Sequence, residues 1–465
     1  MRFNTPEIVT IAILISGFLI ILYNYKLYNL EENRRSVHSA NEKNYVAICD
    51  AGSSGTRIFV YTYSIPQDGG LIEIDSLVVE NEPVVKKISP GLSTFGNNIS
   101  GIIDYMKPLI QFAESYIPEE KLDATQFFLL ATAGVRLLPE NVQFEIMEHL
   151  RTNLPAISRF SVYFILVRLL FEVQIADSNI NVIDGKWEGI YSWISVNYML
   201  GYFNKGAPTV GMSDMGGASV QITFELPKSI EFSSADVISI NLSPSNEDPK
   251  YRYQLFSTTF LGYGANEGYK MYEEAIGNKT ESDPCFPNGY AKNASVTNGQ
   301  KKGNGNFDEC ASRLKTVMEL KKSEECYAND CYMKKIISPK EKFERNPNPL
   351  VDDRSFELFC FKSAWVATVL HDGLKISKEA NQFQTVQKIA GVEMQWALGA
   401  VVYNLRSFGY APRSSSMILT GIILFLSMTV LAMTFLIIRN RLPATYHKML
   451  GMSHSYSQKG LSRII

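Results

Sequence analysis

The residues best suited to chemistry lie in two acidic, glycine-rich turns far apart in the chain. The first, Asp50-Ala51-Gly52-Ser53-Ser54-Gly55-Thr56, joins two apolar runs, 47–49 and 58–60, that read as buried strands. The second, Asp214-Met215-Gly216-Gly217-Ala218-Ser219-Val220-Gln221, is again followed by a strand-like run, Ile222-Thr223-Phe224. Such a turn presents consecutive backbone N–H groups and hydroxyls to a phosphate, a nest-like anion site. Asp50, at the end of its strand, is placed to hold a divalent cation rather than the phosphate itself. Two turns of this type imply two lobes facing each other across one phosphate chain. Taken singly, an Asp-Gly turn between strands is only a hairpin.

The elements that must carry these turns alternate. Strand signals occupy 45–48, 58–63 and 77–85, a helix is expected near 102–115, and a buried strand at 125–131 runs into Thr132-Ala133-Gly134-Val135-Arg136-Leu137-Leu138. Pro139 and Glu140 open a helix to about residue 150, an amphipathic helix is expected over 187–202, and a last one over 392–405. Strands alternating with helices predict an α/β body. Residues 246–348, polar and rich in Asn, Lys, Glu and Gly, read instead as helices and loops inserted into a second lobe.

At 465 residues the chain is too long for one ordinary domain, so two lobes are expected. Its formal net charge of −2 leaves no basic surplus for a nucleic-acid backbone. An uncharged apolar run at about 8–24 reads as an uncleaved membrane anchor, and 416–438 as a transmembrane helix. Arg439, Arg441 and Lys448 follow the second run and place the tail in the cytosol, so the body lies on the far side of the membrane and residues 1–40 begin in the cytosol. Sequons at Asn98, Asn241, Asn278 and Asn293 agree with a lumenal or extracellular body. Of six cysteines, Cys326 and Cys331 are close enough for a small disulfide loop and Cys285 with Cys310 is the natural second pair, although spacing does not fix connectivity. Cys49 and Cys360 sit in apolar, strand-like surroundings as buried free thiols. The body then divides into a first lobe over 41–200, a second over 201–390 with the cysteine-bearing insertion, and a helix at 391–412 returning to the first lobe, before the span and the 439–465 tail. Anchors at both ends point to lateral association into a homo-oligomer.

Both turns, together with Ala131-Thr132-Ala133-Gly134-Val135-Arg136-Leu137-Leu138, Gly185-Lys186-Trp187-Glu188-Gly189-Ile190-Tyr191-Ser192-Trp193 and the weaker Trp396-Ala397-Leu398-Gly399-Ala400, resemble the nucleoside triphosphate diphosphohydrolase (apyrase) family. The motifs stand in the family's order and the resemblance covers most of 45–405. It implies an actin-like (RNase H-like) two-lobe fold with the nucleotide in the cleft. It implies Glu188 as the base for an attacking water, oriented by Ser219 and Gln221, whose hydroxyl and amide both donate and accept. Asp50 and Asp214 would hold Ca²⁺ or Mg²⁺, in part through water. Ser53, Ser54, Gly55, Thr56, Gly216, Gly217 and Ala218 would wrap the phosphates, with Thr132 and Arg136 at the cleft. Phe361 or Trp365 would stack on the nucleobase. At position 55, where the family often carries His or Gly, this chain has Gly55 and so lacks a side chain there; departures are Trp187 where an acidic or small polar residue is common, and Met215 for leucine. The Thr259–Asn266 segment resembles the Golgi or lysosomal branch, which implies hydrolysis of UDP or GDP in support of lumenal glycosylation. The alternatives are a surface apyrase acting on ATP and ADP, a sugar kinase or chaperone of the same superfold, and a catalytically dead receptor ectodomain, against which the intact turns argue.

Overall fold

The architecture is organised by a strand whose two faces are both apolar. A computed structural model describes residues 43–66, 70–160, 179–205, 207–227, 236–244, 248–276, 282–293, 300–320, 358–374, 376, 384–389 and 391–406. The first sheet contains β1 (Asn44–Ala51), β2 (Thr56–Ser64), β3 (Glu73–Ser76), β4 (Val85–Ile88), β5 (Gln126–Ala131) and β6 (Ile180–Val182), in the order β3-β2-β1-β5-β6 with β4 also on β2. Along β1, Val46 and Ile48 enter one core while Ala47, Cys49 and Ala51 enter another. A strand buried on both sides belongs in the middle of a sheet. β1 accordingly pairs antiparallel with β2 and parallel with β5. The strand expected over 77–85 is broken, because Glu80 and Asn81 turn at positive φ and return Glu82–Pro83 against Val78–Val79.

Among the described residues the helices that frame the two sheets are α1 (Ile102–Glu114), α2 (Ala133–Arg136), α3 (Glu140–Asn153), α4 (Gly185–Met199), α5 (Ala265–Ile276), α6 (Phe307–Leu320), α7 (Phe359–Thr368) and α8 (Trp396–Leu405). The second sheet is antiparallel, with β7 (Met212–Met215), β8 (Ser219–Glu225), β9 (Val237–Asn241) and β10 (Arg252–Leu261) in the order β9-β10-β8-β7. Within the compact unit Ala40–Gly409 these elements stack in five layers. α1 and α3 cover one face of the first sheet through Met106, Leu109, Ile146 and Leu150. α4 and α8 cover its other face and also meet Ile240 and Leu255 of the second sheet. α5, α6 and α7 close the far side of the second sheet, where Val220 and Phe260 meet Tyr272, Leu314 and Trp365.

The helix α4 therefore lies between two sheets, and it is buried almost all round rather than amphipathic. A Cβ on Gly399 would lie 2.8 Å from the Ser195 amide nitrogen, so only glycine lets α8 approach α4 this closely. The 246–348 stretch is not simply inserted helix and loop, because β10, within it, is an interior strand of the second sheet. The last helix begins at Trp396, with Val392–Glu393 extended against Lys388–Ile389. Cys285 and Cys310 form a disulfide. Cys49 is a buried free thiol, and Cys360 is a free thiol on a helix, half-buried. Cys326, Cys331, Asn278 and both terminal apolar runs lie outside the described residues. Among the described residues no helix is long and apolar enough to cross a membrane.

Candidate active site

Both sequence turns close in the same way. The Gly52 N–H donates to Gly55 O at 3.0 Å, and the Gly216 N–H to Ser219 O at 3.0 Å. Each has its aspartate two residues before the first glycine, paired across the hairpin with Arg57 for Asp50 and with Gln221 for Asp214. The two turns meet. A Cβ on Gly217 would sit 2.5 Å from Ser53 Oγ and 2.6 Å from Asn266 Nδ2. The first turn rests on the start of α2, where a Cβ on Gly134 would lie 2.6 Å from Ser53 Cα. The second turn rests on α5. Ala265 N–H donates to Gly216 O at 2.9 Å, and Asn266 and Glu267 donate to Gly217 O at 2.8 and 3.1 Å. These are amides of a helix start that lack partners within the helix, so the turn's carbonyls are held at the positive end of α5.

Glu188 reaches the same place from α4. Asp184 caps that helix by accepting the Lys186 N–H at 2.7 Å, which sets Glu188 in the first turn, 7% exposed. Its Oε2 accepts from Arg136 Nη2 at 2.7 Å and from Gln221 Nε2 at 3.2 Å. Arg136 also donates to Ile183 O at 3.0 Å and to Ser219 Oγ at 3.3 Å. Gln221 Nε2 lies 2.5 Å from Ser219 Oγ and 3.1 Å from Thr259 Oγ1. The Gln221 Oε1 is buried and has no hydrogen-bond partner among the described residues. One turn beyond Glu188, the Ser192 hydroxyl donates to Asp214 Oδ2 at 3.1 Å.

The carboxylates in this site strain against one another. Burial, then the nearby Glu188 charge, pushes Asp50 up to about 7, with Arg57 working in the opposite direction. Burial also lifts Glu188 to about 7, against the pull of Arg136. Asp214 is raised by burial, less the effect of its Ser192 bond. Asp50 and Asp214 repel across the site, and each is a hard oxygen donor. That donor set fits a divalent cation. Among the described residues no three acidic, histidine or cysteine side chains group to hold one, so water or phosphate oxygens would complete the shell.

The remaining expected residues divide. Ser53, Ser54, Gly55, Gly216, Gly217 and Ala218 lie in the two meeting turns. Thr56 is fully buried and its hydroxyl takes the Tyr105 O–H at 3.0 Å, so it braces the turn from behind. Thr132 is likewise buried, its hydroxyl 3.5 Å from Ala51 O. The Arg136 guanidinium is engaged by Glu188, Ser219 and Ile183 rather than left open to a phosphate. The nucleobase assignment fails for both aromatics. Phe361 is 1% and Trp365 0% exposed, and the Trp365 indole packs where a Cβ on Gly268 would lie 2.6 Å from its Cζ2, so neither has a face to offer. Asn241 is 8% exposed and donates to Asp248 O at 3.2 Å while accepting the Ser243 N–H, which leaves its amide nitrogen no approach for a glycan. Asn98 is exposed, and Asn293 ends a short strand, Ala291–Asn293. Sequence reasoning missed Thr259, Ser192 and the Arg136–Glu188 pair. Its one available signal was a polar alternation, Ser219-x-Gln221-x-Thr223 facing Ser257-x-Thr259, in strands whose other face is apolar.

Two phosphate-type turns meeting over a buried carboxylate, with two further carboxylates beside them, define a phosphohydrolase site of the nucleotide-handling class. The GDA1/CD39 (nucleoside phosphatase) family profile matches residues 36–348 and 340–416, and the chain belongs to that family. It is 38% identical over 443 residues to the nucleoside-diphosphatase mig-23 of Caenorhabditis briggsae, covering 79% of this chain and 78% of that protein. It is 39% identical over 428 residues to the nucleoside-triphosphatase ntp-1 of Caenorhabditis elegans, covering 81% and 76%. Among solved structures, the nucleoside triphosphate hydrolases from Neospora caninum share its fold with a TM-score of 0.53 at 14% identity, over 87% of this chain and all of that one.

Proposed function

We propose that the protein hydrolyses the terminal phosphoanhydride of nucleoside di- and triphosphates, with UDP and GDP preferred over ADP and ATP, and that it requires Ca²⁺ or Mg²⁺. The observation that carries this reading is the orphaned, buried Gln221 Oε1 beside Glu188 and Ser219, where the two turns meet. A buried acceptor without a partner costs about 1–3 kcal/mol, and a water donating to it removes that cost. The same water can give its second proton to the Glu188 carboxylate, whose ionised form Arg136 favours against burial. Its oxygen bonds to the terminal phosphorus as the bond to the bridging oxygen breaks, releasing orthophosphate and the shortened nucleotide. A cation held by Asp50 and Asp214 would supply charge neutralisation for the phosphate chain. The backbone amides and hydroxyls of the two turns position that chain in line with the water.

We read the two hairpins as the paired phosphate loops of an actin-like fold. We further place the protein in the Golgi membrane with its body in the lumen, where it clears the nucleoside diphosphate left by glycosyl transfer. The disulfide, the exposed sequon at Asn98 and the terminal apolar runs support an oxidising, membrane-bounded compartment. The test is phosphate release by the full chain in detergent over UDP, GDP, ADP and ATP, with Ca²⁺, with Mg²⁺ and with chelator. The expected result is UDP and GDP fastest and no release with chelator. Equal release with chelator contradicts the cation requirement, and ATP and ADP fastest contradicts the Golgi role.

A further inference from the structure

We propose that Thr259 is a positioning residue for the attacking water: its hydroxyl tethers the Gln221 carboxamide so that Oε1 stays presented to the water site. This rests on the hydrolase reading above and assigns a role to a residue outside the turns and outside α4. Gln221 and Thr259 are direct cross-strand partners on β8 and β10, on the side of the sheet that faces α4. Asp214 is the partner of Gln221 on its other side, so Asp214, Gln221 and Thr259 form one row across three strands.

The Gln221 amide nitrogen has two hydrogens and three acceptors within reach, Ser219 Oγ at 2.5 Å, Thr259 Oγ1 at 3.1 Å and Glu188 Oε2 at 3.2 Å. Two of the three belong to the reaction itself. Ser219 helps to bind the water, and Glu188 stops accepting from the amide on equal terms once it has taken the water's proton. Thr259 keeps the same hydrogen-bonding capacity throughout turnover.

A second contact makes Thr259 a firm anchor. A Cβ on Gly185 would lie 2.5 Å from both its Oγ1 and its Cγ2. The first residue of α4 thus presses directly on Thr259, three residues before Glu188. The tether and the base are registered to the same helix start. An amide held on one side by a fixed hydroxyl, and oriented by an ionised carboxylate on the other, keeps its carbonyl free for the water. Without that tether the carboxamide can rotate, and a misplacement of about 1 Å at a reacting centre costs roughly 10²-fold.

The experiment compares full-length wild type, Thr259→Val and Thr259→Ser in steady-state hydrolysis of UDP with Ca²⁺, alongside Glu188→Gln. Valine keeps the shape against Gly185 and removes the hydroxyl, while serine restores it. The expected result is a kcat about tenfold or more below wild type for T259V, with KM and the pH midpoint of the acid limb unchanged, and kcat within about threefold of wild type for T259S. Melting temperature is measured on each variant so that a folding loss is separated from a catalytic one. A T259V kcat within twofold of wild type overturns the proposal, as does an equal fall for T259V and T259S, or a loss that appears in KM instead. If wild type releases no phosphate, the hydrolase reading itself is wrong, and if E188Q turns over at the wild-type rate, the assignment of Glu188 as base is wrong. If E188Q is inactive and T259V normal, only the role of Thr259 is wrong.

Discussion

The two hairpins that carry the phosphate turns are built alike and furnished differently. Both close with the same bond from a first glycine N–H to the carbonyl three residues on, at 3.0 Å in each. Aligned on that bond, Gly52-Ser53-Ser54-Gly55 stands against Gly216-Gly217-Ala218-Ser219. The first turn places a serine at its second position and the second turn a glycine, and these are the positions that touch, so the hydroxyl of Ser53 occupies the space a side chain on residue 217 would need. The neighbours of the two aspartates differ as well. Asp50 lies across from Arg57, whose charge favours its ionised form. Asp214 lies across from Gln221, which belongs to the cluster at Glu188. The first hairpin is therefore furnished to bind and the second to react, although the backbone path is shared.

The largest effect that separates the hairpins is expected at Gly217. Neither Gly216 nor Gly217 has positive φ, so alanine is allowed by the backbone at both. At Gly216 the nearest atom to a new Cβ is Ser219 O at 3.7 Å, an ordinary contact, while at Gly217 it is Ser53 Oγ at 2.5 Å. Gly217→Ala should reduce kcat/KM at least roughly tenfold below Gly216→Ala, because the Ser53 hydroxyl and the Asn266 amide must swing out of their places at the junction of the turns. Equal values for the two variants would break the claim that the turns meet at this residue.

A smaller contrast separates the two arginines. Arg136 lowers the proton affinity of Glu188, which burial has raised to about 7. Removing that positive charge raises it further, so less of the carboxylate is ionised at neutral pH. Arg136→Ala should move the acid limb of the kcat/KM profile to higher pH and cost about tenfold or more at pH 7. Arg57 acts on Asp50 instead, its Nη1 donating to Gln395 Oε1 at 3.2 Å. Arg57→Gln should leave the acid limb in place and raise the cation concentration needed for half-maximal rate. An acid limb that moves with Arg57 and not with Arg136 would reverse the assignment of roles.

Both turns were legible in the sequence because their chemistry is local, with acid, glycine and hydroxyl within a few residues of one another, whereas Glu188 was legible through the family resemblance of the Gly185–Trp193 stretch. Their meeting was implied by the repetition and by the family resemblance. What stayed hidden depends on contacts between distant residues. Nothing near Arg136 in the chain shows that its guanidinium ends on Glu188, 52 residues on. Phe361 and Trp365 have the type a nucleobase site uses, but aromatic type says nothing about which side of the second sheet they cover. α4 reads as amphipathic because it carries Lys186, Glu188 and several hydroxyls, yet those polar groups are spent inside the body: Glu188 and Ser192 on the site, Lys186 on Asp236, Ser195 on Gln395 O, and Tyr198 on the backbone of Ile72 and Ile74. β10 was obscured for the same reason, since Ser257 and Thr259 give it a polar inner face where a core strand would be apolar.

The central claim is that Glu188, at the junction of the two turns, takes the proton of the attacking water. The direct measurement is the single-turnover rate of phosphate release by Glu188→Gln beside its affinity for UDP in the presence of Ca²⁺. The glutamine should bind the nucleotide within about threefold of wild type and release phosphate roughly 10²–10⁴-fold more slowly. Phosphate release at the wild-type rate would contradict the account.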